Sequence, residues 1–244
     1  GFGTYMEHAR NSLKANVLSL EHKGVSTYKR GELSWGLKFQ HEEIFDKISE
    51  WKYVDSAGYS IPYPPDSVGY TNPSVQPYYS LELQNVIKTK NNLFSNRTSG
   101  YLQRSWVFGK YKGSERFVFI AGSRFNYWDL NKQLTFSPRT TLVFEPAWKH
   151  NIRFRLSAGV YHQPPFYREL RDLLGNINED IKAQESYHFV LAKEWNFRAW
   201  NRPFKWTSEL YYKYLDNLIP YTVDNVRIKY LGNNLSKGYA TGID

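Results

Sequence analysis

Six histidines, a short run of carboxylates and a set of cations on alternate residues are the groups in this sequence that chemistry would use first. The histidines are His8, His22, His41, His150, His162 and His188, and no two stand four residues apart, the spacing at which one helix presents two ring nitrogens to a zinc ion. Glu42, Glu43, Asp46 and Glu50 cluster in the chain. A glycosidase needs two carboxyl groups fixed about 5–9 Å apart, and nothing local fixes these, so a solvated strand extension is the expectation there. There is no glycine-rich phosphate loop and no nucleophile elbow. The absence of cysteine excludes a disulfide framework, a thiolate metal site and a cysteine nucleophile together. No catalytic residue, no metal site and no cofactor is therefore expected. Two sets of binding groups remain. Lys38, Arg124, Arg139, Arg153, Arg155, Lys205 and Lys213 would attract anionic groups if they share a face. Tyr59, Tyr63, Tyr70, Tyr78 and Tyr79, with His162, Phe166 and Tyr167, offer apolar bodies with polar tips, which suit sugars, chelates or peptides.

The elements that must position these groups are strands. Ile152, Phe154, Leu156, Ala158 and Val160 fall on one parity, and Arg153, Arg155, Ser157 and Gly159 on the other. A period of two is the signature of a half-buried strand. The pattern recurs where Leu33, Trp35, Leu37 and Phe39 oppose Glu32, Ser34, Lys38 and Gln40, and where Phe117, Phe119, Ala121, Phe125 and Tyr127 oppose Arg124 and Asn126. It recurs again through Leu134–Glu145, Ser186–Trp195 and Lys205–Tyr214, more weakly over Leu13–His22 and Thr98–Lys110, and a last strand begins near Lys237. About nine strands result. All seven named cations lie on the polar parity, where Glu32, Glu145 and Glu209 also lie, so a basic lining and mutual ion pairing are both open readings. Lys193 breaks its apolar row beside Trp195, as a snorkelling lysine would.

Composition agrees. The chain has 244 residues, of which 18% are aromatic (20 Tyr, 15 Phe, 8 Trp) and only 41% hydrophobic, with a mean hydropathy of −0.62. So many rings in so polar a chain fit sheets with one apolar face, one wet face and aromatic girdles. No apolar run approaches the roughly 20 residues of a membrane helix. The net charge of +9 suits a solvated surface, nucleic acid or anionic headgroups, and does not choose among them. Connections alternate in length. Lys110–Glu115, Trp148–Asn151, Phe197–Pro203 and the region of Lys23–Gly31 are short. Asp55 to about Arg97, His162–Ala183 and Tyr221–Ser236 are long, and only Leu130–Gln133 breaks the rule. Short turns on one side and long loops on the other is the outer-membrane barrel arrangement. An extra hairpin is expected near Leu81–Lys90 and a helical piece at Tyr167–Leu174.

Several phrases, in order, resemble the second half of the barrel of TonB-dependent receptors. They are Phe136-Ser137-Pro138-Arg139; Gly159 to Leu170, with its Gln163-Pro164-Pro165-Phe166-Tyr167-Arg168-Glu169-Leu170 exit into a loop; Ala183-Gln184-Glu185-Ser186; Leu210 to Ile219, ending Asp216-Asn217-Leu218-Ile219; and Ala240-Thr241-Gly242-Ile243-Asp244. Gln184 stands where the family more usually has proline or an apolar residue, and Asp244 where it has Glu. The resemblance covers roughly Ser99 to Asp244. It implies an all-β fold, an antiparallel transmembrane barrel wall segment of a larger barrel of about 22 strands, with residues 1–244 as a partial barrel domain. The plug domain, signal peptide and last strands are expected to lie outside this chain.

What the resemblance implies for function is a share in an outer-membrane transporter, without bond chemistry, that imports a siderophore, cobalamin or glycan. The implied partners are the protein's own plug domain, the TonB energy-coupling complex reached through the amino-terminal part, outer-membrane lipid and a small-molecule or glycan ligand; no nucleic-acid partner is implied. The cations above would then face the lumen, and the loop rings would meet the ligand. Two other classes fit the pattern less fully. A porin or adhesin barrel would lack a plug encoded upstream. A soluble β-rich module for carbohydrate or nucleic acid would carry its rings on one sheet rather than outward on every strand.

Overall fold

Alternation becomes strand along nearly the whole chain. The structure, a computed structural model, describes residues 5–55, 81–109, 115–224 and 227–244. The strands are β1 (Tyr5–Ala9), β2 (Ser12–Tyr28), β3 (Gly31–Asp55), β4 (Leu81–Gly109), β5 (Arg116–Trp128), β6 (Gln133–Glu145), β7 (Asn151–Gln163), β8 (Gln184–Ala199), β9 (Arg202–Leu218), β10 (Tyr221–Asp224), β11 (Arg227–Tyr230) and β12 (Ser236–Ile243). One sheet is bonded in the order β1-β3-β4-β5-β6-β7-β8-β9-β12, with β2 also paired to β3, while β10 and β11 form a separate hairpin. Every pairing whose register is described is antiparallel. The expected all-β, antiparallel wall is what the chain forms.

The chain divides into two units, 1–16, 43–93 and 174–176, and 17–42, 94–173 and 177–244. In the first, β1 pairs with the end of β3 from Tyr5↔Val54 to Ala9↔Glu50, and the His8 ring stacks on Trp51 at 5.7 Å. Ile44, Ile48 and Leu93 are buried there, and so is Asp46. The solvated extension expected over Glu42–Glu50 is thus corrected at two positions, since Glu42 in the second unit is buried as well. Sequence proximity hid this because burial depends on strands far away in the chain.

The second unit carries the register that organises the wall. Trp106, Phe119, Leu142, Leu156, Leu191, Leu210 and Ile243 are successive cross-strand partners over β4, β5, β6, β7, β8, β9 and β12. A parallel row runs Phe108, Phe117, Phe144, Phe154 and then Lys193. Large apolar side chains in these rows remain open to the surroundings, among them Leu156, Leu191 and Leu210, each about half exposed. The opposite parity holds most of the charges, with Arg104 and Lys193 as exceptions on the apolar side. The enclosed core lies instead where the loops return on the strand ends: Trp128, Pro165, Leu170, Ile181 and Ala183 are almost wholly buried.

Four expectations need correction. The long connection after Asp55 is shorter than expected, because β4 begins at Leu81 and the proposed hairpin is part of that one strand. Its polar run Lys88-Thr89-Lys90-Asn91-Asn92 hides the alternation. The helical piece is a single 3-10 turn, Tyr167–Leu170. Its geometry comes from the Glu169 carboxylate, which accepts from the Phe166 N–H at 2.8 Å. The Tyr221–Ser236 connection contains the β10–β11 hairpin, which with β1 makes twelve strands among the described residues, ten of them in the one sheet where about nine were expected. Finally β8 and β9 leave only Trp200 and Asn201 between them, both at positive φ (48° and 56°). This is the φ signature of a type I′ turn, whose twist matches that of the strands.

Gly109 ends β4 at φ +91°, and a Cβ there would lie 2.1 Å from the Glu115 carbonyl oxygen. Gly109→Ala is therefore expected to destabilise the β4–β5 pairing by about 2 kcal/mol or more, the left-handed penalty of roughly 1–2 kcal/mol plus a backbone clash. A lower denaturant midpoint for the full-length variant in detergent or lipid would report it. An unchanged midpoint would show that the turn reorganises freely.

Candidate functional site

The polar face is built from three levels, each set by cross-strand register. Nearest the short turns, charges alternate in sign from strand to strand. Arg116 on β5 meets Glu145 on β6 at 3.3 Å, and Arg153 on β7 meets the same carboxylate at 2.6 Å. Arg153 also lies 3.8 Å from Glu194 on β8, which Lys205 on β9 meets at 3.1 Å. One row further, Arg155 pairs with Glu209 across the intervening β8. The residue between them is Ala192, itself buried. Its methyl group leaves the path open, where a longer side chain would block it. Of the seven cations singled out from sequence, Arg153, Arg155 and Lys205 are thus ion-paired, as the second open reading had it.

The middle level is different. Gln103, Gly122, Arg139, Gly159, His188 and Lys213 are successive partners across six strands. Among the described residues no carboxylate lies in ion-pair reach of Lys38, Arg124, Arg139 or Lys213. Rings take the place of acids: the Arg139 guanidinium lies 5.4 Å from the Tyr161 ring, Tyr161 lies 4.5 Å from His188, and the Lys213 ammonium lies 5.3 Å from Tyr211. Arg139 has a glycine on each side in its row. A Cβ at Gly159 would lie 3.1 Å from that of Arg139, so the missing side chain is what gives the guanidinium room. Arg124, Arg139, Gln103 and Tyr101 line a small cleft of about 130 Å³. Sequence parity found the cations. It also put His188 on that parity but missed Tyr161 and Tyr211, which share it and would have been found had rings been counted with charges.

The third level is the loop end. Arg97 Nε lies 3.4 Å from Glu42 Oε2 and its guanidinium stacks 3.9 Å over Trp128. Its Nη2 donates to the Pro165 carbonyl at 3.4 Å. The Nε–H has no aligned acceptor, so its tie to Glu42 is charge attraction rather than a hydrogen bond. Ser95 donates to the same carboxylate at 3.4 Å. Asparagines clamp the loops: Asn131 donates to the Ile181 carbonyl (2.9 Å), Asn178 to the Gly232 carbonyl (2.9 Å), and Asn234 to the Lys182 and Asn217 carbonyls (3.1 and 2.8 Å). Of the expected ligand rings, His162 is engaged through both nitrogens, with Ser137 at 3.0 Å and Glu185 at 3.4 Å. Tyr167 lies under the Arg171 guanidinium at 5.6 Å, and Phe166 stands 65% exposed. Tyr59, Tyr63, Tyr70, Tyr78 and Tyr79 lie outside the described residues.

The apolar face has two borders. At the short turns Trp195, Phe197, Trp200, Phe204 and Trp206 gather, with Phe197 and Phe204 stacked at 5.5 Å. Toward the loops the row is Tyr187, Tyr214 and Tyr239. Two residues beyond it the same parity turns polar, with Glu185 opposite Asp216 and Lys237 within 3.3 Å of Asp216. From Trp206 to Tyr214 is roughly 26 Å along the strand at ~3.3 Å per residue.

Comparison with known proteins gives two findings. Residues 4–244 match the family described as TonB dependent receptor-like, beta-barrel. A solved structure titled "Copper transporter OprC" superposes with a TM-score of 0.54 at 11% identity, over 96% of this chain and 36% of that one. At that identity the likeness is one of fold. The chain therefore spans about a third of the length of the structure it resembles. A search of curated protein sequences returned no match.

Removing Arg97 leaves the buried Glu42 carboxylate facing Trp128 without its cation. Arg97→Ala is expected to destabilise the full-length protein by about 3 kcal/mol, the usual result of breaking one side of a buried pair. Adding Glu42→Gln should recover a large part of the loss. Chemical denaturation of the two variants checks this, and a double variant no better than the single would remove Glu42 from the account.

Proposed function

The chain belongs to the TonB-dependent receptor-like β-barrel family, and from that premise we propose that it is a segment of the wall of a transporter that takes up a nutrient across the bacterial outer membrane. Barrels of this family are outer-membrane receptors and transporters, and in that setting the exposed rows of Leu, Phe and Trp lie against lipid. The single observation that carries the reading is sidedness over seven strands: apolar rows on one face, interrupted by Arg104 and Lys193 and framed by rings and then charges, with the other arginines and lysines within that frame on the opposite face. A lipid-spanning strand needs about 9–11 residues, and the stretch from Trp206 to Tyr214 between the two aromatic borders is close to that length. An arginine costs little on a wet face and about 2–4 kcal/mol at mid-membrane on the lipid face.

On this reading the polar face lines the lumen. Arg153, Arg155 and Lys205, already paired, stiffen the wall near the periplasmic turns. Lys38, Arg124, Arg139 and Lys213, without carboxylate partners among the described residues, supply the positive field that acidic groups of the plug domain or an anionic solute would meet. Phe166 and Tyr167, with the tyrosines from Tyr59 to Tyr79, belong to the extracellular mouth and contact the ligand, of siderophore, cobalamin or glycan class. His162 serves there as a tie between strands rather than as a ligand contact, because both its nitrogens are occupied. Uptake proceeds by binding and translocation with no bond made or broken, driven through the energy-coupling complex that engages the amino-terminal part of the parent protein.

This chain has no cysteine, which makes sidedness easy to read. In the full-length protein, otherwise cysteine-free and in its native membrane, Arg139→Cys and Lys213→Cys should react with a small water-soluble maleimide at least about tenfold faster than Leu156→Cys and Leu191→Cys. Equal reaction on both faces would sink the membrane placement. Nutrient uptake that persists after collapse of the proton gradient would sink energised transport while leaving the placement intact.

A further inference from the structure

The short-turn end carries an excess of positive charge that neither the ion-pair chain nor the lumen uses. A cleft of about 720 Å³ lies between the β6–β7 turn and the β8–β9 hairpin. Lys149 and His150 line it from the turn, and Arg198 and Lys205 from the hairpin. Lys205 is committed to Glu194. Among the described residues no carboxylate lies within ion-pair distance of Lys149 or Arg198. The other wall is aromatic: Trp195, Phe197 and Phe204 line the same cleft and stand on the apolar parity. Trp195 pairs with Ile152 and Trp206, so the cleft opens directly onto the exposed apolar rows.

Lys193 lies outside the cleft, on the adjoining apolar row. It interrupts the row Phe117, Phe144, Phe154, one pair from Trp195, and is exposed there with no acid partner among the described residues. A lone ammonium on an apolar face has a long stem to lay along that face and a charge that needs an anion at the border.

We propose that this cleft holds the phosphate group of an anionic phospholipid of the periplasmic leaflet, with Lys149 and Arg198 at the headgroup and the acyl chains on the rows of Phe154, Trp195 and Trp206, along which Lys193 lays its stem. The proposal rests on the membrane placement above. Charge selects an anion, and the continuity of the cleft with the apolar rows selects one attached to hydrocarbon, since a free anion would gain nothing from Trp195 and Phe204. Each lysine or arginine near a lipid surface contributes about fivefold to binding of an anionic headgroup.

Native mass spectrometry of the full-length receptor, purified in mild detergent and mixed with phosphatidylglycerol or with phosphatidylcholine of the same acyl chains, tests this. Phosphatidylglycerol should be retained at least about tenfold more than phosphatidylcholine. The exposed pair Lys149→Ala and Arg198→Ala should together lower that retention by roughly 25-fold, while Lys237→Ala at the opposite border should leave it unchanged. Equal retention of the two lipids, or a preference that survives the double substitution, overturns the proposal. Displacement of the lipid by millimolar inorganic phosphate alone also overturns it, because the site would then be one for a free anion. A receptor that fails to insert into vesicles of either lipid would bring down the membrane placement itself. Normal insertion without lipid preference would bring down only the headgroup site.

Discussion

One pairing register, constant in every ladder from β4 to β9 and carried on by β12 beyond the bulge between Ser236 and Gly238, is what everything else in the second unit depends on. Side chains alternate faces with a period of two, so a shift of one residue in any ladder exchanges the faces completely. Here the two faces are chemical opposites. A shift in β7 would move Arg153 and Arg155 into a row with Leu142 and Leu191 and bring Phe154 and Leu156 among the carboxylates. The penalty for misalignment is therefore large at every strand, and the register is specified by burial and charge together rather than by hydrogen bonding, which any register would satisfy.

Within that register the three levels of the polar face solve different problems. Exposed ion pairs contribute only about 0–1 kcal/mol each, so the chain from Arg116 to Lys205 is better understood as alignment than as adhesion: each strand presents the sign its neighbours lack. At the middle level the same economy is abandoned, and cations lean on rings instead of acids, which leaves their charge available. At the loop end the surroundings are closed, and the Arg97–Glu42 pair is enclosed by Trp128 and Pro165. There an ion pair is hard to lose, because removing one partner strands the other.

Sidedness was legible in the sequence wherever one face is apolar along the strand, as in Ile152–Val160 or Leu210–Tyr214, because alternation is a local signal. It was harder to read in the Leu81–Asn92 half of β4, where Leu81, Leu83 and Ile87 alternate with Glu82, Gln84 and Lys88 but the run Lys88-Thr89-Lys90-Asn91-Asn92 is polar on both parities. The 3-10 turn at Tyr167 looked like a longer helix because Arg168, Glu169, Arg171 and Asp172 are spaced as a polar helical face would be, yet Glu169 turns inward to accept the Phe166 N–H. The burial of Glu42 could not be read from the chain at all, since Arg97 and Trp128 come from strands far away in sequence. The cations on the polar parity were legible, but which of them are paired was not: that depends on which carboxylate the register sets opposite, and on a methyl group at Ala192.

The two-residue connection between β8 and β9 bears on the order in which the wall assembles. Closing a loop costs entropy that grows with its length, and Trp200-Asn201 is as short as a hairpin connection usually is. The ladder it opens then runs unbroken from Ala199↔Arg202 to Glu185↔Asp216, so each new pair forms next to one already made. Contacts of such low sequence separation form early in folding. β7, reached by the long connection through Tyr167 and Ile181, then meets an edge that is already in register, and β12 meets the other. A hairpin of this kind is a local template whose parity each neighbouring strand can copy.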